Sequence, residues 1–175
     1  MSTNGLAAVV LKPLKLVARF GYDFLSRSEF SELSDRVLAS RYRRLASKTR
    51  LADCPKITIV VPVFNVERYL ALCLLSLAGQ QYPNLQVIAV DDGSTDCSAE
   101  ILKEFEDQLD LKVVTQKNQG LGAARNSGVA AIEHTDYLMF LDSDDALAPG
   151  ALNSMVSMIT ESKSDFVVGD VTRMK

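Results

Sequence analysis

At 175 residues, with 47% hydrophobic and 23% charged side chains, the chain has the length and balance of one folded domain with an appendage, neither disordered nor fibrous. Its net charge of −3 hides an uneven spread, +6 over residues 1–50 and −9 over residues 51–175, which points to two segments with separate tasks. Three cysteines without CxxC spacing exclude a disulfide framework or a cysteine zinc site and fit a reducing compartment; the single histidine, His134, reads as a surface residue and argues against a Ser-His-Asp apparatus.

Residues 1–50 carry no catalytic signature. Gly5 to Leu25 is apolar but broken by Lys12, Pro13, Lys15 and Arg19, so it holds no uncharged run near the roughly eighteen residues that span a bilayer. Those charges and Pro13 also sit wrongly for a signal peptide. Ser31 to Leu51 reads as a helix with Leu33, Val37, Leu38, Tyr42 and Leu45 on one side and Arg36, Arg41, Arg43, Arg44 and Lys48 elsewhere. Such a stripe serves either peripheral contact with an anionic membrane or packing on the domain or a second copy, and the number of apolar residues favours packing. Residues 1–52 are thus expected to form a helical extension, with Asp53 to Lys56 as a linker.

From Ile57 the chain alternates strands and helices. Ile57 to Val63 is a β-branched run with Pro62 at its end, where proline is tolerated in a strand. Glu67 to Gly79 has helical periodicity and stops at a glycine. Leu85 to Val90 reads as a second strand, running into Asp91-Asp92-Gly93-Ser94-Thr95-Asp96, whose Ser, Thr and Asp suit the cap of a helix from Ser98 to Leu109. Leu111 to Thr115 reads as a third strand, and Gly120 to Ile132 as a helix of small residues able to approach its neighbour closely. Tyr137 to Leu141 reads as a fourth strand covered on both faces, followed by a helix from about Pro149 to Thr160 and a fifth strand over Asp165 to Gly169. This rhythm predicts an α/β fold, a mostly parallel sheet with helices on both faces.

The fourth strand ends in Asp142-Ser143-Asp144-Asp145, three carboxylates whose mutual repulsion is tolerable only beside water, a cation or hydrogen-bond donors. A hard divalent cation answers that demand by taking one or two carboxylates and completing its shell with phosphate oxygens and water. A solvated acidic turn, with Asp145 capping the next helix, is the plainer alternative. Ligands of such sheets sit at the carboxyl ends of the strands, and Pro62 to Asn65, Asp91 to Ser94 and Asp142 to Asp145 all fall there, so together they outline a pocket. Neither GxGxxG nor GxxxxGK[ST] is present, so a diphosphate would be neutralised by a carboxylate-held metal. Asn118 to Asn126 adds Arg125 and a helix N-terminus, suited to a phosphate or a base edge, although a surface salt bridge would also account for Arg125.

Ile59 to Glu67, Val90 to Asp96, Asn118 to Gly128 and Leu141 to Asp145 resemble, in order, the motifs of family 2 glycosyltransferases with the type A fold. The resemblance covers residues 56–175 and implies a Rossmann-like nucleotide-sugar-binding half, moving a sugar with inversion from a nucleotide diphosphate, usually uridine, to a hydroxyl acceptor. It implies that Pro62, Val63 and Phe64 line a base pocket, that Asp92 accepts the uracil imide hydrogen, and that Arg125 sits near base or phosphates. Asp142 would approach the ribose, with Glu67 and Ser143 in the same nucleotide-binding set. Asp142 and Asp144 would be the metal residues, for Mg²⁺ or Mn²⁺. Synthesis of a cell-surface glycan, at a cytoplasmic site peripheral to the inner face of the membrane, is the implied setting, with no nucleic-acid partner.

Family members normally continue into a second half that binds the acceptor and supplies the general base. Here the sequence stops soon after the expected fifth strand, so a donor-binding half is expected, and no residue takes the role of base. A nucleotide-sugar-binding or scaffold module without turnover is the alternative reading. A nucleotidyltransferase-like enzyme is a weaker one, lacking the phosphate loop after the first strand.

Overall fold

The computed structural model describes residues 54–80 and 82–169. The predicted helical extension over residues 1–52, with its membrane or self-association role, lies outside them.

Among the described residues four strands make one parallel sheet in the order β3-β2-β1-β4. They are β1 (Ile57–Val63), β2 (Leu85–Asp91), β3 (Leu111–Thr115) and β4 (Tyr137–Phe140), alternating with helices α1 (Glu67–Ala78), α2 (Ser98–Phe105), α3 (Leu121–Ala130) and α4 (Ala151–Ser162). The elements follow the predicted order. β1 is buried along its whole length, as its unbroken Ile-Thr-Ile-Val-Val run requires of a central parallel strand.

The two faces are covered unequally. Ile57, Ile59, Val61 and Val63 point into the larger core, where Leu70, Leu74 and Leu77 of α1, Ile101, Leu102 and Phe105 of α2 and Leu152 of α4 meet Val87 and Ala89. Each such fully buried aliphatic or aromatic side chain is worth roughly 1.5–3 kcal/mol. The opposite face is closed by α3, whose Ala124 packs with Val60, Ile88 and Val90. It lies close because Gly128 has no side chain: a Cβ there would stand 2.3 Å from Val60 Cγ1 and 3.2 Å from Val90 Cγ2. The small-residue reading of this helix is borne out at that position.

Two expectations are corrected. β4 is an edge strand covered on one face only: Tyr137 and Met139 pack on the larger core, whereas Leu138 and Phe140, in register with Thr58 and Val60, are 41% and 44% exposed, α3 reaching that face with the Arg125 guanidinium over the Phe140 ring. Asp165 to Gly169 is not a strand. The chain leaves α4 through Lys163 at φ 52°, and Phe166 and Val168, which would have to pack or pair, are 78% and 79% exposed. A short apolar run specifies a strand only where a ladder partner and a covering layer are within reach.

Strand order reverses between β1 and β4. In a parallel sheet this opens a crevice at the carboxyl ends of the two strands that part there, with β2 adjoining.

Candidate functional site

A cavity of about 520 Å³ occupies that crevice. Pro62, Val63, Phe64 and Val66 line it from the end of β1, and Asp92 from the end of β2. Asn118, Gly120, Leu121 and Ala124 contribute from the entry and first turns of α3, and Asp142, Ser143 and Asp144 from beyond β4. The three predicted strand ends are thus brought to one place.

The β1 and β2 loops are stitched together. The Asn65 N–H donates to Ser94 Oγ at 3.1 Å, while Asn65 Oδ1 accepts from the Thr95 N–H at 2.8 Å. The Val66 N–H donates to Ser98 Oγ at 3.1 Å. The start of each helix is capped by the other loop: Asp96 Oδ2 accepts from the Glu67 N–H at 2.9 Å, and Glu67 Oε2 accepts from the Cys97 N–H at 2.8 Å. Asp96 Oδ1 also accepts from the Ser98 N–H at 3.0 Å. Helix termini leave N–H groups unpaired, and here two helices answer each other's need. Burial opposes ionisation of Asp96, yet these donors hold its carboxyl below the ordinary aspartate value. Glu67 does not line the cavity; its carboxylate braces the loops that do.

Asp92 is 3% exposed. Its Oδ1 accepts from Gln116 Nε2 at 2.7 Å and from the Gln119 N–H at 2.9 Å, and its Oδ2 from the Gly120 N–H at 2.8 Å. Burial alone would raise its pKa, but the three donors outweigh that and leave it lowered, so the group is an ionised acceptor facing the cavity. Gly120, at φ 87°, adopts a conformation that favours glycine, and so delivers its amide.

The acidic side is built differently. The Asp145 N–H donates to Asp142 O at 3.0 Å, closing a turn over the three carboxylates. Asp142 Oδ1 accepts from Arg125 Nη2 at 2.6 Å, and the Arg125 guanidinium lies over the Phe140 ring with Cζ 5.8 Å from its centre. Arg125 therefore meets the cavity through Asp142 without lining it. Asp144 and Asp145 are exposed. Partial burial, then the neighbouring charges of Asp144 and Asp142, raise the Asp145 pKa. Asp145 does not cap α4, whose N-cap is Gly150.

Behind this turn, two buried polar residues of the first helical unit hold the following segment. Ser76 Oγ accepts from the Leu147 N–H at 3.0 Å; Gln80 Nε2 donates to Ala148 O at 2.9 Å and Gln80 Oε1 accepts from the Leu152 N–H at 3.2 Å.

Among the described residues no three His, Cys, Asp or Glu side chains converge as a cage for a metal ion. With Asp142 already paired to Arg125, the donor set fits a hard cation that takes one or two carboxylates and completes its shell on a ligand's phosphates, and not an all-protein site. No helix among the described residues is long and apolar enough to cross a membrane.

The sequence reading missed Gln116, whose signal was its place directly after β3, Ser76, a polar residue inside an apolar helix pattern, and Gln80, a polar residue just past the glycine that ends that helix.

Residues 58–174 match the model of glycosyl transferase family 2. The chain belongs to that family. It is 43% identical over 117 residues to glycosyltransferase GlyA of Streptococcus pneumoniae, covering 66% of this chain and 16% of GlyA. To the poly(ribitol-phosphate) beta-glucosyltransferase of Bacillus spizizenii it is 37% identical over 119 residues, covering 65% of this chain and 19% of that protein. Residues 1–349 of TarS from S. aureus, solved in complex with UDP-GlcNAc, superpose with a TM-score of 0.60 at 34% identity, over 63% of this chain and 32% of TarS 1–349; a further structure of the same protein holds UDP. The match confirms the expected α/β type A fold. This chain spans a third or less of the length of each of these relatives.

Proposed function

We propose that residues 56–175 bind the nucleotide-diphospho-sugar donor, a UDP-sugar, of an inverting glycosyltransferase. What carries the reading is the cavity at the switch point: a buried, ionised Asp92 on one side, an acidic turn on the other, and Pro62, Val63 and Phe64 between them. A base that packs on Pro62 and Phe64 meets Asp92 with an imide N–H, and its ribose reaches Asp142 and Ser143. Arg125 steadies Asp142 and places a cation beside the phosphates. Glu67 acts on the site through the Cys97 amide.

Asp144, exposed at the cavity, and Asp142 beside it are the residues that would hold Mg²⁺ or Mn²⁺. When bound, such an ion offsets charge on the departing diphosphate. The hydroxyl acceptor belongs to a cell-surface glycan, a reading supported by the polymer named in the Bacillus spizizenii relative. The setting we infer is cytoplasmic and peripheral to the membrane.

Binding without turnover is the second reading, favoured by the prior engagement of Asp92 and Asp142, which leaves neither ready to act as general base. Calorimetric titration of UDP-GlcNAc and UDP in Mn²⁺ and in EDTA, with an assay for released UDP, tests both. Cation-dependent binding with UDP release supports a transferase donor site; cation-dependent binding without release selects the second reading. Absence of binding to either nucleotide overturns the nucleotide reading.

A further inference from the structure

Which base the cavity accepts depends on how many acceptor positions Asp92 has left, a question that arises only within the nucleotide-binding reading above. An ionised carboxylate offers about four such positions, two on each oxygen. Gln116 Nε2 and the Gln119 N–H occupy both positions on Oδ1, and the Gly120 N–H occupies one on Oδ2. Two of the three donors are backbone amides, fixed by the fold whatever the side chains. The third is Gln116.

Its placement follows from the ladder. Thr115 is in register with Asp91, and the Gln116 N–H donates to Asp91 O at 2.9 Å, which extends the strand by one residue and sets Gln116 opposite Asp92. Facing an ionised carboxylate, the amide must present Nε2 rather than Oε1, so the direction of the 2.7 Å bond is set by chemistry. Gln116 does not line the cavity; it acts through Asp92.

We propose that Gln116 determines base specificity: by filling the last acceptor position on Asp92 Oδ1, it leaves one open acceptor, on Oδ2, and so matches the pocket to a base edge with a single N–H. Uracil has that edge, one imide N–H between two carbonyls. Guanine presents two adjacent donors, N1–H and the N2 amine, which call for both oxygens of a carboxylate. With Oδ1 filled, one guanine donor finds no acceptor on Asp92. Without the Gln116 bond the Asp92 carboxylate can turn about its Cβ–Cγ bond and present both oxygens to the base, which makes it two-pronged.

Binding of UDP, GDP and inosine diphosphate to the full chain in Mn²⁺ is the test, with the parent compared with Gln116→Met and, should that variant fold poorly, Gln116→Ala. The preference for UDP over GDP should narrow ~10-fold, the worth of one buried donor gaining a partner. Inosine diphosphate has the N1–H but lacks the amine, so it should gain much less than GDP. An equal change for UDP and GDP would mean that Gln116 only supports the fold, and an equal gain for both purines would mean that the variant only made space; either overturns the proposal. So does unchanged selectivity. If the parent binds no nucleotide, the donor-site reading falls as well; if it binds UDP and the preference does not move, only the role of Gln116 falls.

Discussion

The two walls of the cavity differ in how they are held. On the β1–β2 side, hydrogen bonds run in both directions between two loops and two helix starts, and Asp92 has three donors on it. On the β4 side, a four-residue edge strand carries an acidic turn that Arg125 meets at the Asp142 carboxylate and Cys73 Sγ at the Asp142 carbonyl, the arginine lying over a ring that is itself half exposed. The first wall is organised by the fold's own hydrogen bonds and the second keeps exposed charge; in the proposed donor site the first would read the base and the second would answer the polyphosphate with its cation. In that reading recognition falls to the braced wall and charge compensation to the exposed one.

The substitution expected to do most damage is the one that harms both walls. Gly128→Ala pushes α3 off Val60, and α3 carries both the Gly120 amide and Arg125. We expect a loss of about 3 kcal/mol, at the upper end of overpacking, read as a lowered urea midpoint. Val60→Ala in the same chain should restore part of it; no recovery would show that the clash is not the cause.

Gln80→Ala should loosen the acidic wall alone. It orphans the buried Leu152 N–H, a cost of roughly 1–3 kcal/mol, and leaves Ala148 O with the Ala151 N–H as its donor. Amide exchange around Leu147 should accelerate while that of the β1–β2 loops stays slow. Equal acceleration in both would dissolve the distinction between the walls.

Asp96→Ala cuts the opposite way, removing the acceptor of two helix-start amides for about 1–2 kcal/mol. Acid should discriminate the walls by sign. Asp92 and Asp96 have lowered values in the fold, so the stability they lend is present above the ordinary aspartate pKa of about 3.9 and is lost as pH falls below it through their folded values. Asp145 has a raised value, so its contribution is present below the ordinary range and is lost as pH climbs through its folded value. Asp96→Ala should therefore flatten the acid limb of a stability–pH curve, and Asp145→Asn the limb above it. A curve unchanged by Asp96→Ala would refute the first assignment.

Asp144→Ala should hardly move stability, within about 0.5 kcal/mol for an exposed residue, yet remove most of the Mn²⁺ dependence of UDP binding. Persistence of that dependence would place the cation elsewhere.

Much of this was legible because it is local. The β-branched run of β1, the glycine ending α1 and the small residues of α3 each report their own surroundings, and the rule of strand ends gathers Pro62, Asp92 and Asp142 without any contact being known. The exposure of Leu138 and Phe140 is not local; it depends on how far α3 reaches, and an apolar run looks the same with one face covered or two. Asp165 to Gly169 failed for the same reason. Glu67 and Gln116 were opaque in another way. Their roles lie in partners about thirty and twenty-four residues away, Cys97 and Asp92, and a carboxylate at a helix start or an amide past a strand end reads alike whether it holds a ligand or a neighbouring loop.

The register of the sheet also carries a history of assembly. β1 and β2 pair across 28 residues, Ile57 with Leu85, and the bonds stitching their loops span 29 to 32, whereas β4 reaches β1 across 80. The extra entropy of closing the longer loop is only about 1 kcal/mol, but little around β4 repays it: four residues, one covered face. The chain should therefore gather β1, α1, β2 and α2 first and add the acidic strand late, with most of its influence on the unfolding rate. A mutation such as Met139→Ala should then speed unfolding and leave refolding nearly untouched, so that the wall meant for charge is also the seam along which the domain first comes apart.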